Sequence, residues 1–347
     1  VRVLDAILNR LSEALRTVED DLRFRCSIPV LSGRWKALRR RVGDLRGDLE
    51  KEGQPLSLLR DVRSDPGRWA GDSGHHQRPG DLIAANIARA REASRSLEEQ
   101  LRRFSLDLAG RAQQLRYGIY EAEAISVGFL RRQPRLAQRR LYLLVSEALC
   151  RGPIIDTTIA AMEGGASIVQ LREKTMAHGA LLTLARQLRE ITAERDALLI
   201  INDHIDIAAL CQADGVHLGQ EDIAPAEARK ILGGDAIIGL STHCQEQAKN
   251  AALQGADYIG VGPIFPTETK IHRAAVGCGY IEAALAASEL PGFAIGGVNA
   301  DTIAEVIAAG ARRVAVCTGI IAQEDPRAAC AFIRERLVRA MPVSSSS

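Results

Sequence analysis

The chain has 347 residues, 46% of them hydrophobic and 25% charged, with a formal net charge of +2 and seven cysteines. That is length enough for two domains, in the composition of an ordinary soluble globular protein rather than a disordered, collagenous or disulfide-stapled one. No apolar run reaches the roughly 18 residues of a membrane span. The opening with Arg2, Asp5 and Arg10 is not a signal-peptide pattern, so a cytoplasmic protein with no membrane role is expected. The cysteines show no Cys-x-x-Cys spacing and no tight His/Cys cluster, which argues for reduced, mostly buried thiols.

The small net charge hides an asymmetry. Residues 1–140 hold 28 Lys and Arg against 19 Asp and Glu, and the remainder holds 17 against 24. Residues 1–130 are rich in Arg and Leu, helical in period and contain an internal repeat. At a shift of 79 residues, Arg10, Glu13, Arg16 and Glu19 recur as Arg89, Glu92, Arg95 and Glu98. Residues three apart are neighbours on a helix surface, so each row is expected to pair internally and the two helices to pack as a pseudo-symmetric pair. The basic run around Trp35, from Arg34 to Arg41, reads as a solvated helix face rather than a nucleic-acid contact, since it lacks interleaved aromatics. Residues 60–81, which include His75 and His76, read as a loop. Residues 131–139, beginning Arg131-Arg132-Gln133-Pro134-Arg135, read as the linker to a second domain.

From Arg140 the pattern changes to short apolar runs alternating with helical segments. The strands expected are 141–145, 167–171, 198–201, 216–218, 236–240, 258–261, 293–295 and 314–317. Eight strand–helix units within residues 140–340 predict a compact (β/α)₈ barrel, preceded by the all-α helical domain. An open doubly wound sheet is the alternative, but no Gly-x-Gly-x-x-Gly turn follows the first strand. Residues 341–347 read as a disordered tail.

In such a barrel the chemistry sits where the strands end. Gln170, Arg172 and Lys174 close the second strand, Asn202 and Asp203 the third, and Ser241 the fifth. His217 lies on the fourth strand with Asp222 just beyond it, and Lys270 lies in the loop after the sixth. Asp203 and Asp222 are two carboxylates on neighbouring strand ends, a donor set suited to Mg²⁺. Helix capping is the competing role for both, and Asp206 is a weaker ligand candidate. Arg172, Lys174 and Lys270 would surround the ion with charge suited to a diphosphate. An ion-pair network with Glu173 and Glu268 is the alternative for these cations. Gly296-Gly297 and Thr318-Gly319 end the last two strands, where barrels often hold a phosphate on backbone N–H groups. Two anion sites, one with a metal, suit an enzyme that joins two phosphorylated substrates and releases diphosphate.

The segments Gln170-Leu171-Arg172-Glu173-Lys174, Asn202-Asp203, Asp214 to Gln220, Ile238 to His243, Ala256 to Gly260 and Gly262 to Lys270 together resemble thiamine-phosphate synthase, in order from about Leu141 to Arg339. The helical third is similar to an extension that some bacterial members carry. The resemblance implies a Mg²⁺-dependent barrel enzyme joining hydroxymethylpyrimidine diphosphate to hydroxyethylthiazole phosphate. It implies Mg²⁺ on Asp203 and Asp222. Gln170, Arg172, Lys174, Asn202, Ser241 and Lys270 would then hold the diphosphate and pyrimidine. Thr267, Thr269, Gly297, Cys317 and Thr318 would hold the thiazole phosphate, with His217 and Tyr258 near the pyrimidine ring. Of these, Arg172, Lys174, Lys270 and Ser241 would act on the leaving diphosphate. The family usually has Ser at the position of Thr318 and a larger residue at that of Gly319, which implies a looser phosphate cup here. The partners expected are small molecules, not nucleic acid, with self-association allowed. A thiazole tautomerase-like barrel and a non-catalytic binding protein acting through the basic helical domain are the alternative readings.

Overall fold

The computed structural model describes residues 2–26, 28–52, 79–267 and 274–340. Most of the loop expected at 60–81, with His75 and His76, and the tail from 341 lie outside these residues; the end of that loop already belongs to a helix that starts at Pro79. The chain divides into two compact units, Val1–Val127 and Gly128–Ser347.

The first unit is all helical. Helices α1 (Arg2–Asp20), α2 (Pro29–Lys51) and α3 (Pro79–Leu101) are followed by α4 (Leu106–Ala137), whose residues up to Val127 belong here. Leu4, Leu8, Leu11, Leu15 and Val18 fall three or four residues apart and form the buried stripe of α1. The repeat continues through this core: Ile83, Ile87, Ala90, Ser94 and Leu97 are the buried α3 counterparts, 79 residues on. The second helices repeat too, at a spacing of 77, with Leu31, Leu38 and Val42 of α2 answered by Leu108, Leu115 and Ile119 of α4, all buried. Each half carries the same ion pair on a buried glutamate. Glu19 accepts from Arg39 at 2.8 Å, and Glu98 accepts from Arg116 at 2.7 Å. Glu19 and Glu98 turn inward to the neighbouring helix instead of pairing along their own rows, and Arg16 pairs with Asp20 at 3.6 Å. Nor is the whole run from Arg34 to Arg41 solvated, because Trp35 is fully buried and its indole N–H donates to Ser126 at 3.0 Å.

The second unit is a closed barrel of eight parallel strands in sequence order: β1 (Leu141–Val145), β2 (Ile168–Leu171), β3 (Leu198–Asn202), β4 (Gly215–Leu218), β5 (Ile237–Thr242), β6 (Tyr258–Val261), β7 (Gly292–Ile295) and β8 (Val314–Val316). The intervening helices are α5 (Ile154–Glu163), α6 (His178–Glu194), α7 (Ile205–Leu210), α8 (Pro225–Leu232), α9 (Gln245–Asn250), α10 (Gly279–Ala287) and α11 (Ile303–Ala308). Two more, α12 (Thr318–Ile321) and α13 (Pro326–Arg339), follow β8. The strands read as unbroken apolar runs because both faces are covered, the inner by the barrel core and the outer by helices. Tyr142, Ile168, Leu198, Ile237, Tyr258 and Phe293 meet in that core, and Leu136 of α4 joins them.

The expected linker is not one. Residues 131–137 are the last turns of α4, with Pro134 inside the helix. Arg132 is almost wholly buried and donates to Asp257 at 2.7 Å, and the same carboxylate accepts from Arg229 at 2.7 Å. Arg135 and Arg189 both donate to Asp214. Arginines and a proline that signal a linker in sequence here fasten a helix to the barrel.

Candidate active site

The C-terminal ends of the strands converge on a pocket lined by nine of the expected residues: Gln170, Arg172, Asn202, His217, Ser241, Thr267, Gly297, Cys317 and Thr318. Lys174, Asp203 and Asp222 stand together at its side, at the ends of β2, β3 and β4. Tyr258 lies beneath it in the barrel core. Thr269 and Lys270 lie outside the described residues, as does Glu268.

Asp203 follows the last residue of β3 with a left-handed backbone, φ 61°. That region is strained for most side chains but tolerated by Asp. Its N–H donates to the His217 carbonyl at 3.0 Å, which ties the turn to β4. Its carboxylate accepts from Lys174 and lies within hydrogen-bond reach of Asp222. Burial alone would raise the Asp203 carboxyl. The hydrogen bond and charge of Lys174 outweigh it, helped by Asp222 and His217, and hold the group below the usual carboxylate range.

Neither carboxylate caps a helix. The residue before α7 is His204 and the residue before α8 is Ala224, and neither helix receives a side-chain cap. Asp222 instead accepts the Gly219 N–H at 2.6 Å. Asp206 is exposed in the first turn of α7. Glu173, the described half of the proposed ion-pair network, is buried and turned toward the end of β1, where it accepts from the Glu147 backbone and, at 3.4 Å, from Ser146.

Asp203 and Asp222 are thus hard oxygen donors side by side. Among the described residues no group of three or more His, Cys, Asp or Glu could hold a metal. A site of two carboxylates fits an ion that keeps water or phosphate oxygens in its remaining positions. Beside them, Nδ2 of Asn202 is buried in the pocket wall with no hydrogen-bond partner among the described residues. A buried amide donor left unpaired is costly, and a ligand acceptor would satisfy it.

Below the pocket, a file of hydrogen bonds crosses the barrel. Gln170 Nε2 donates to the Tyr142 hydroxyl at 2.7 Å, and the Tyr142 and Tyr258 hydroxyls are 2.8 Å apart. Tyr258 meets His217 Nδ1 at 3.1 Å, and His217 Nε2 meets Ser241 Oγ at 3.0 Å. Burial pushes both phenols well above their ordinary range, so both remain neutral O–H groups.

On the other side, Gly297 has a left-handed φ of 67°, and its carbonyl accepts from Thr302. A Cβ added at Gly319 would lie 2.5 Å from the Val298 carbonyl oxygen and 3.0 Å from the Asn299 Cβ, so the loop after β7 occupies the space a larger residue would need. The pocket is also lined by His243, which ends the fifth strand in sequence but was given no role, and by Asn299, which was not predicted. His243 lies two residues beyond Ser241, and its Nδ1 meets the Gly262 carbonyl. That alternation along the end of β5 was the available signal. Tyr142 was missed because it lies inside an apolar run.

A closed parallel barrel whose polar groups gather at one rim defines a barrel enzyme acting on small molecules. The thiamine monophosphate synthase family model matches residues 141–320, and the ThiD2 family model matches residues 2–125. The chain is 42% identical to a thiamine-phosphate synthase of Gloeobacter violaceus over 98% of its own length and 97% of that protein's. It is 39% identical to one of Nostoc sp. over 99% of its length and 95% of that protein's. A thiamine phosphate pyrophosphorylase structure from Pyrococcus furiosus, 32% identical, superposes with a TM-score of 0.55 over 61% of this chain and 100% of that one. The chain belongs to the thiamine-phosphate synthase family, a family of transferases, and its likeness to the cyanobacterial members extends through the helical third. No helix among the described residues is long and apolar enough to cross a membrane.

Proposed function

We propose that the barrel joins hydroxymethylpyrimidine diphosphate to hydroxyethylthiazole phosphate, forming the C–N bond of thiamine phosphate and releasing diphosphate. The observation that carries this reading is the cluster of Asp203, Asp222 and Lys174 beside the buried, unpartnered amide of Asn202. It sets hard anionic donors and a cation beside an amide donor in the wall of one pocket.

Asp203 and Asp222 would hold Mg²⁺, which when bound would offset the negative charge of the diphosphate. Arg172 and Lys174, with Lys270, would bind the diphosphate and stabilise the charge that grows on it as its bond to the pyrimidine methylene breaks. The aminopyrimidine delocalises the positive charge left on that carbon, so departure of diphosphate precedes capture by the thiazole nitrogen. Asn202 and Gln170 would hold the pyrimidine side, with His217 and Tyr258 beneath the ring. Gly297, Cys317 and Thr318, with Thr267 and Thr269, would fix the thiazole phosphate so that its nitrogen faces the methylene; positioning of that kind supplies a large part of the rate. No covalent nucleophile is required of Ser241 or Cys317. A thiazole tautomerase would have no use for Asp203, Asp222, Arg172 and Lys174.

The test is to incubate the chain with both phosphorylated heterocycles, with and without Mg²⁺, and to follow thiamine phosphate and diphosphate. Both products should form in equal amounts, and a chelator should stop them. Conversion of the thiazole phosphate alone, without pyrimidine, would replace this reading with the tautomerase.

A further inference from the structure

Lys174, Asp203 and Asp222 stand on a fixed frame. The Arg172 N–H donates to the Val145 carbonyl at 2.9 Å, and the Glu173 carboxylate accepts from the Glu147 backbone and from Ser146. The two residues before Lys174 are thereby tied to the end of β1. The Asp203 N–H donates to the His217 carbonyl at 3.0 Å, and the Asp222 carboxylate accepts from the Gly219 N–H at 2.6 Å. The Lys174 side chain is the exception. It is 54% exposed, against 26% for Asp203, and carries its charge on a flexible four-carbon stem.

The Lys174 ammonium donates to Asp203 Oδ2 and so stands on a carboxylate that the metal would also use. Two cations therefore converge on one anionic group. An ion pair this exposed is weakly held. An ammonium is a compact charge with three donors, able to exchange one anion for another within its reach. Arg172, two residues before Lys174, lines the pocket in which the diphosphate would lie. A divalent ion bound to diphosphate is still a net anion, so it offers the ammonium a new partner as the metal takes the old one.

We propose that Lys174 is a transferable counter-ion: metal and diphosphate entering together displace its ammonium from Asp203 onto the diphosphate. The proposal rests on the diphosphate reading of this pocket. Its consequence is thermodynamic. Metal alone must break the Lys174–Asp203 pair and gives the lysine nothing in return. Diphosphate alone must break the same pair to gain the ammonium. Bound together, the two ligands break it once. The shared cost makes each ligand strengthen the other, by the same factor in both directions. A lysine fixed beside both would oppose the metal and favour the diphosphate without coupling them.

The test compares the full chain with its Lys174→Met variant in three titrations. Mn²⁺ is added alone, with the free ion counted by electron paramagnetic resonance. Inorganic diphosphate is titrated in a calorimeter, without metal and then at saturating Mg²⁺. Mn²⁺ alone should bind the variant about fivefold more tightly, the strength of a partly exposed ion pair. The factor by which Mg²⁺ strengthens diphosphate binding should be about fivefold larger in wild type than in the variant. Association of Mg²⁺ with diphosphate in free solution is common to both proteins and cancels in that comparison. An equal factor in the two proteins makes the lysine a fixed charge and overturns the proposal. Mn²⁺ that binds the variant no more tightly than wild type also overturns it, because Lys174 then does not compete for Asp203. Lys174→Ala serves if Lys174→Met does not fold. The titrations do not depend on turnover. A wild type that couples the two ligands in this way but forms no thiamine phosphate overturns the proposed function and leaves the transfer standing. One that forms thiamine phosphate, with the factor unchanged in the variant, keeps the function and loses the transfer.

Discussion

Asp203 occupies a left-handed backbone conformation with its carboxylate facing Lys174 and Asp222. Asn adopts that backbone as readily as Asp, whereas Ala pays roughly 1 kcal/mol for it. Asp203→Asn is therefore the cleaner variant, removing the charge and keeping the turn. It should cut kcat/KM at least about 100-fold, near 3 kcal/mol of transition-state stabilisation, with little change in melting temperature. Activity within a few-fold of wild type would overturn the proposal that Asp203 holds a metal. Gly319 makes a second residue-scale prediction. A methyl there meets the Val298 carbonyl oxygen at 2.5 Å, and the loop that carries Gly297 must move away. Gly319→Ala should raise KM for the thiazole phosphate several-fold, the effect of about 1 kcal/mol of lost binding, and leave KM for the pyrimidine diphosphate unchanged. Equal effects on both would place the cup elsewhere. The carboxylates and cations of this site were legible in the sequence because they end apolar strands, where a buried run has no other reason to turn polar. Tyr142 was not, because its hydroxyl finds Tyr258 across 116 residues of chain and only closure of the barrel brings them together.

At the scale of elements, the strands were readable to within a residue or two because each is a short run buried along all or nearly all of its length. The residues after Leu130 were misread for a physical reason. Local sequence reports charge and a proline, and both mark linkers. What makes these residues helical and fixed is nonlocal: Arg132 meets Asp257 125 residues away, and Arg135 meets Asp214 79 residues away. A barrel fragment cut at residue 136, the natural choice if 131–139 were a linker, loses both arginines. Asp257 is fully buried and would keep one of its two arginines, Arg229, and removing one partner of a buried ion pair typically costs about 3–5 kcal/mol. A fragment of residues 128–347 should therefore melt higher than one of residues 136–347, by roughly 6–20 °C at this size. Equal melting temperatures in a calorimeter would mean that α4 adds nothing to the barrel.

At the scale of the molecule, each unit holds a buried carboxylate between two arginines, Glu98 in the helical unit and Asp257 in the barrel, and the helical unit can be watched by itself. In the helical unit Glu98 is buried among Arg116 and Arg102. Burial pushes its carboxyl up, but the hydrogen bonds and charges of the two arginines prevail and hold it below its ordinary 4.5. Because the folded value is the lower one, the unfolded chain binds the extra proton as the pH falls through that range. The stabilisation is complete above the unfolded value and is lost as the pH drops toward and through the folded one. Both tryptophans of the chain, Trp35 and Trp69, lie in residues 1–127, so selectively excited tryptophan fluorescence reports on this unit alone. Trp35 is an apt probe, being buried with its N–H on Ser126. An acid titration in denaturant should show the fluorescence midpoint weaken below about pH 4.5. Glu98→Gln should be less stable at neutral pH, where it lacks the charge that Arg116 and Arg102 require, and its midpoint should depend less on pH in this window. If the variant and wild type lose stability in parallel as the pH falls, Glu98 is not the group that titrates, and the repeated Glu–Arg pair contributes to packing without contributing to the acid response.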